Sequence, residues 1–230
     1  MSGNGIPPTN STYFEIRIGG RRHALLRTNE RQSTRTDLNM EIMAFEENCN
    51  KLITEPYFEP ELVLGRSWRI YYAWNMDLEE KCLDMVFTNA TQAIVNRVYN
   101  DMVDYLEMQP FWDAATLLVS MGQARHEMLL FVDQGAAGRF IGVPNVVRDG
   151  NISPSKNAVP LIRIHMKLLY NAKYLVMSDC TVGVSTLSAR RDSDIYRAEI
   201  QGVASTLDFG LGSPACIGDY NNEETKLDAQ

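Results

Sequence analysis

Six arginines and no lysine stand between Arg17 and Arg35: Arg17, Arg21, Arg22, Arg27, Arg31 and Arg35. The guanidinium is a planar fork that grips a phosphate or a carboxylate at two points. An all-arginine segment therefore fits an RNA backbone or the acidic face of a neighbouring subunit. A second stretch, "GRSWRIYYAW", interleaves Arg66 and Arg69 with Trp68, Tyr71, Tyr72 and Trp74. Rings and guanidinium groups in alternation stack bases and pair phosphates on single strands, although alternating aromatics are also ordinary strand material.

Catalytic patterns are sparser. Asp208, Phe209 and Gly210 spell the kinase metal-binding triplet, but the glycine-rich loop, the H-R-D loop and the V-A-I-K lysine that must accompany it are missing. The glycines of "GAAGRFIG" lack a Walker lysine, and Leu130 stands where an H-E-x-x-H site opened by His126 needs its second histidine. What remains is His165, Asp179 and Cys180: a base, a carboxylate and a thiol that only folding can bring together. They define the alternative expectation, an intracellular enzyme with a scattered active site. Cys49, Cys82, Cys180 and Cys216 form no C-x-x-C pair and have no histidine at metal-ligand spacing, so they read as buried, reduced thiols, and no cofactor or metal is expected. Asn10, Asn89 and Asn151 each open an N-x-S/T triplet, but such triplets arise often by chance and matter only in a secreted chain, so they are discounted.

The chain has 230 residues and a formal net charge of -7, unevenly spread. Residues 1–35 hold six arginines against Glu15 and Glu30, net +4, while residues 36–134 hold six basic side chains against seventeen acids, net -11. Residues 135–230 hold ten of each and cancel. A basic arm is thus tied to an acidic body, and opposite charges of this kind suit contact between copies. With 45% hydrophobic residues the chain can bury a core. No apolar run approaches the roughly 18 residues of a membrane span. The opening "MSGNGIPPTNSTYF" lacks the basic-then-apolar layout of a secretory leader, so cytosol, nucleus or a virion is the expected location.

The elements that must position these residues follow from periodicity. "TYFEIRI" and "SWRIYYAW" alternate as strands, and Leu38, Ile42, Phe45, Cys49 and Leu52 mark one helical face. Leu83, Phe87, Ala90, Ile94, Val98, Met102 and Tyr105 keep helical spacing up to Pro110, and "WDAATLLVSMGQARHEMLLFV" continues as a second helix to a cap at Gly135. Asp149-Gly150 signals a hairpin, residues 160–177 suit either strand or helix, "TVGVSTLS" reads as strand, "SARRDSD" as a solvated loop and "SDIYRAEIQGVASTL" as a helix.

The expected fold is α+β: two long central helices, from about residue 76 to 134, packed on a mixed or antiparallel sheet, with extended N- and C-terminal arms. Residues 1–35 are the basic arm and first strand, 36–218 a single domain, and 219–230 an acidic tail. A helix-rich middle, arms at both ends and "STLDFG" resemble, in outline only, the coat proteins of flexible filamentous plant viruses. The expected function is a self-assembling subunit of coat, nucleocapsid or matrix type. Its partners are other copies of itself, with single-stranded RNA a second candidate, and its contacts lie on the six arm arginines with Arg66 and Arg69.

Overall fold

The computed structural model describes residues 49–52, 54, 56–76, 78, 82–122, 126–133, 137–148, 154–207, 209–210 and 212–219. Among them the strands are β1 (Ser67–Trp74), β2 (Asp84–Asn89), β3 (Ala115–Met121), β4 (His126–Val132), β5 (Arg139–Pro144), β6 (Ile162–Leu169), β7 (Tyr174–Asp179), β8 (Val184–Arg190) and β9 (Gly212–Pro214). Each of β1 to β8 pairs antiparallel with the next, and β8 pairs back onto β1. Eight strands therefore close into an up-and-down barrel, which leaves no free edge around its circumference. The helices beside it are α1 (Pro60–Val63), α2 (Gln92–Met102) and α3 (Arg197–Leu207).

This architecture overturns the α+β expectation of two long central helices on a sheet. Between residues 76 and 134 the chain runs instead through β2, α2, a single 3-10 turn at Trp112–Ala114, β3 and β4. The cause lies in which faces are buried. Leu117 and Val119 of β3 and Met128 and Leu130 of β4 look into the barrel, while Leu118, Leu129 and Phe131 on the outer face are buried too. α2 is anchored over β4 by the ion pair of Arg97 with Glu127. A strand buried on both faces loses its polar alternation, and its continuous apolar run then imitates a buried helix. Without the helix-rich middle, the outline likeness to filamentous coat proteins loses that one of its supports.

β1 shows how the barrel is sealed. β8 pairs along one edge of it from Trp68 to Trp74, with a bulge between Ile70 and Tyr72. The other edge is shared: β2 takes Ser67 to Arg69 and β9 takes Tyr72 to Trp74. On the outside, Ile200, Val203 and Ala204 of α3 pack against Tyr71, Trp74, Tyr174 and Leu187. Ahead of β5, Gly138 has φ +78°, and a Cβ there would collide with the Met166 carbonyl, whose own amide donates to the Gly138 oxygen at 2.7 Å.

The cysteines are not reduced. Cys49 is bonded to Cys180 and Cys82 to Cys216, so all four are paired, over sequence separations of 131 and 134 residues. Each bond ties a segment flanking the barrel to a connection between strands: Cys49 to the β7–β8 turn, and Cys216, beyond β9, to the β1–β2 connection. Such distant partners leave no local spacing to read. Among the described residues no helix is long and apolar enough to cross a membrane.

Candidate functional site

The meander gives the barrel two ends. At the floor β1 begins and β8 ends; at the mouth β1 ends and β8 begins. The floor is closed by α1: Trp68 Nε1 donates to the Val63 carbonyl at 3.3 Å, and Arg190 Nη2 reaches the Leu62 carbonyl at 3.5 Å. The Arg190 guanidinium lies 5.6 Å from the Trp68 ring centroid, a cation–π contact across the β1–β8 seam.

Directly opposed residues of an antiparallel pair share a face. Ser188 opposes Ile70 and Leu175, and Thr186 opposes Ala73 and Met177, all of them part of the interior cluster or packed on it. β8 thus turns Thr186, Ser188 and Arg190 into the lumen. The rest of that space is apolar and rich in methionine, with Met85, Met128 and Met166 in the core cluster and Met121 and Met177 against it. Gly142 of β5 adds no side chain, and the sulfur of Met128 takes the place its Cβ would fill. Thr186 Oγ1 donates to the Met177 carbonyl at 3.4 Å, whereas Ser188 Oγ and Arg190 Nε are buried without a hydrogen-bond partner among the described residues.

At the mouth, Asp179 opposes Ile164 and His126 opposes Met121, so both stand at the lumen rim. Burial pushes the Asp179 carboxyl above its ordinary value, against the pull of the Thr181 and Val182 amides, which donate to its Oδ1 at 2.9 and 3.3 Å.

The residues of the enzyme alternative are brought near one another but divided. His165 opposes Ser178 and faces outward, whereas Asp179, the next residue of β7, faces inward. His165 Nδ1 lies 3.3 Å from the Cys49 carbonyl, which can only accept, so that nitrogen carries the proton. Burial lowers the imidazole below its ordinary value, with Arg139 and Arg163 acting the same way and the Cys49 carbonyl and Asp133 opposing. The ligand atoms of Cys49, His165 and Cys180 gather within 4.8 Å, a separation that would suit a metal ion. The two sulfurs are bonded to each other, which removes both the thiolate ligands and the thiol nucleophile.

Arg17, Arg21, Arg22, Arg27, Arg31 and Arg35 lie outside the described residues. Arg66 is exposed just before β1. Arg69 is buried and grips Asp84 with two bonds, Nε to Oδ1 at 2.6 Å and Nη2 to Oδ2 at 3.0 Å. The rings between them are core: Trp68 fills the lumen, and Tyr71 and Trp74 lie under α3. The lumen stripe of Thr186, Ser188 and Arg190 was legible as a period-two run continuing past "TVGVSTLS" into "SAR", which sequence reading cut in two. Comparison with known proteins finds no matching family model, no matching curated protein and no matching solved structure.

Proposed function

We infer that the barrel carries a small, largely apolar molecule with one polar end in its lumen. The observation behind this reading is the pair of buried, unpartnered polar atoms, Ser188 Oγ and Arg190 Nε, two residues apart on one strand face in a methionine-lined interior. Native proteins pair nearly all buried polar groups, so two orphans together suit a polar atom supplied from outside the chain. The serine hydroxyl can donate or accept and the guanidinium can only donate, which favours a hydroxyl, carbonyl or carboxylate oxygen on the guest. Methionine is unbranched and adaptable, so side chains that now fill the lumen can repack around an occupant. Lipocalins and streptavidin hold one small ligand inside barrels of this architecture, a likeness of fold alone.

Titration with a fluorescent fatty acid and with a purely hydrocarbon fluorophore tests the reading. Saturable binding at one site is expected, lost in Gly142→Trp, whose indole would occupy the lumen; circular dichroism checks that this variant folds. Ser188→Val should weaken the fatty acid more than the hydrocarbon. Absence of saturable binding, or binding untouched by lumen substitutions in a folded protein, would sink the idea.

A second reading rests on the charge asymmetry, +4 over residues 1–35 against -11 over the rest. In it the arginine arm docks on the acidic body of another copy, or holds single-stranded RNA. Deleting residues 1–35 separates the two. Loss of oligomers without RNA supports subunit contact, and loss of a steeply salt-dependent RNA affinity supports nucleic acid. A truncated chain unchanged in both respects removes this reading and leaves the lumen untouched.

A further inference from the structure

The sequence carries a motif that the carrier reading does not use. Asn89-Ala90-Thr91 is an N-x-T acceptor triplet, discounted above because such triplets arise by chance and matter only in a secreted chain. The disulfides bear on the second of those grounds. Both disulfides span more than a hundred residues and between them consume every cysteine of the chain, the signature of folding in an oxidising compartment. In eukaryotic cells the compartment that forms disulfides is also the one that attaches N-linked glycans.

We propose that Asn89 is an N-glycosylation site. Asn89 ends β2, opposite Leu117 near the start of β3, and is exposed at the floor rim. Its carbonyl accepts from the Thr91 amide at 2.9 Å, and the amide of the next residue, Ala90, donates to the Thr116 carbonyl at 3.0 Å. No hydrogen bond ties its side-chain amide among those found in the barrel, and the site points away from the mouth. Thr91 serves twice. Its hydroxyl completes the acceptor triplet in the nascent chain and, after folding, accepts from the Ile94 amide at 3.4 Å as the N-cap of α2. The donor is a lipid-pyrophosphate oligosaccharide. The Asn89 amide nitrogen attacks its anomeric carbon, the C–O bond to pyrophosphate breaks, a C–N bond forms, the amide gives up one proton, and the lipid pyrophosphate departs with the bonding electrons. A glycan placed there hangs from the closed end and leaves the lumen entrance clear.

The test is to express the full chain behind a secretion leader in cultured eukaryotic cells. The product is then treated with a glycan amidase in heavy-oxygen water, and the peptide containing residue 89 is sequenced by mass spectrometry. The amidase turns a glycosylated asparagine into heavy-labelled aspartate, so label at position 89 is the expected result. Thr91→Ser, which keeps both acceptor and cap, should retain the label, and Asn89→Gln should lose one glycan while keeping the cap and the fold. Secreted protein with both disulfides formed and an unlabelled Asn89 overturns the proposal. Label confined to Asn10 or Asn151 overturns it equally.

Discussion

Ser188 separates the needs of the folded barrel from those of a guest. Its hydroxyl is buried and makes no hydrogen bond among the described residues, so the empty barrel gains nothing from it. Ser188→Val should therefore leave the unliganded protein as stable as before, or more stable by up to about 1 kcal/mol, since an unsatisfied polar group is replaced by an apolar one. A urea midpoint that falls markedly would show that the hydroxyl has a partner after all. His165 makes a prediction of a different kind. Burial holds its folded-state pKa below the ordinary value, so the unfolded chain takes up the proton first. Stability is then undiminished above about pH 6.5, the ordinary imidazole value, and declines as pH falls through that value toward the folded pKa. In His165→Asn, which keeps a donor for the Cys49 carbonyl, this part of the decline should vanish. Denaturation midpoints measured at about pH 7.5 and 5.5 decide it, and equal losses in both proteins would rule it out.

Among elements, α3 is the simplest to test: it occupies Arg197–Leu207 of the stretch 193–207 read as helix from sequence, and its contacts are known. Ile200 is fully buried against the outer face of the barrel, and Ile200→Ala should cost about 2–5 kcal/mol in denaturant unfolding. A cost below about 1 kcal/mol would mean that the helix is not firmly seated. The same element shows what made some of the chain legible. α3 has one face on the barrel and one in water and so displays its own period, whereas β1, buried on both faces, is marked as strand by its aromatic residues. β3 and β4 display no such period: with Leu118 and Leu129 buried outside and Val119 and Leu130 buried inside, nothing in "TLLVSM" or "MLLFV" distinguishes a strand from a helix. The long apparent helix from Leu83 to Tyr105 joined Leu83, Phe87 and Ala90, of which only Phe87 lies in β2, to Val98 and Met102 of the buried face of α2, because these residues fall by chance at intervals of three or four. The lumen site was missed for a related reason. A polar stripe of Thr186, Ser188 and Arg190 looks like surface until closure of the barrel turns it inward.

At the scale of the whole molecule, the two disulfides are the largest single constraints on the unfolded chain. In the chain-entropy description, a cross-link closing a loop of more than a hundred residues stabilises the fold by about 5 kcal/mol. Cys82→Ser with Cys216→Ser, and separately Cys49→Ser with Cys180→Ser, should each lower the guanidinium midpoint substantially. A reductant should have the combined effect on the wild-type chain and none on a chain lacking all four cysteines. A midpoint indifferent to reductant would show that the bonds add nothing to stability, whatever their place in the fold.

The shared edge of β1 sets an order of events for the growing chain. Among the eight barrel strands every seam but one joins strands adjacent in sequence, and each can zip as soon as its second strand appears. The exception joins Trp68 to Arg190, and α3, β9 and Cys216 beside it come later still. Until then the nascent molecule is an open curved sheet whose first and last strands present bare amides and carbonyls, the form most prone to pairing with a neighbour. Its rate of completion is governed by the slow meeting of distant segments rather than by local hairpins. A chain arrested after β7 should therefore aggregate on release, while one extended through Cys216 should stay monomeric in the same sedimentation run; two soluble products would mean that the seven-stranded sheet protects its own edges.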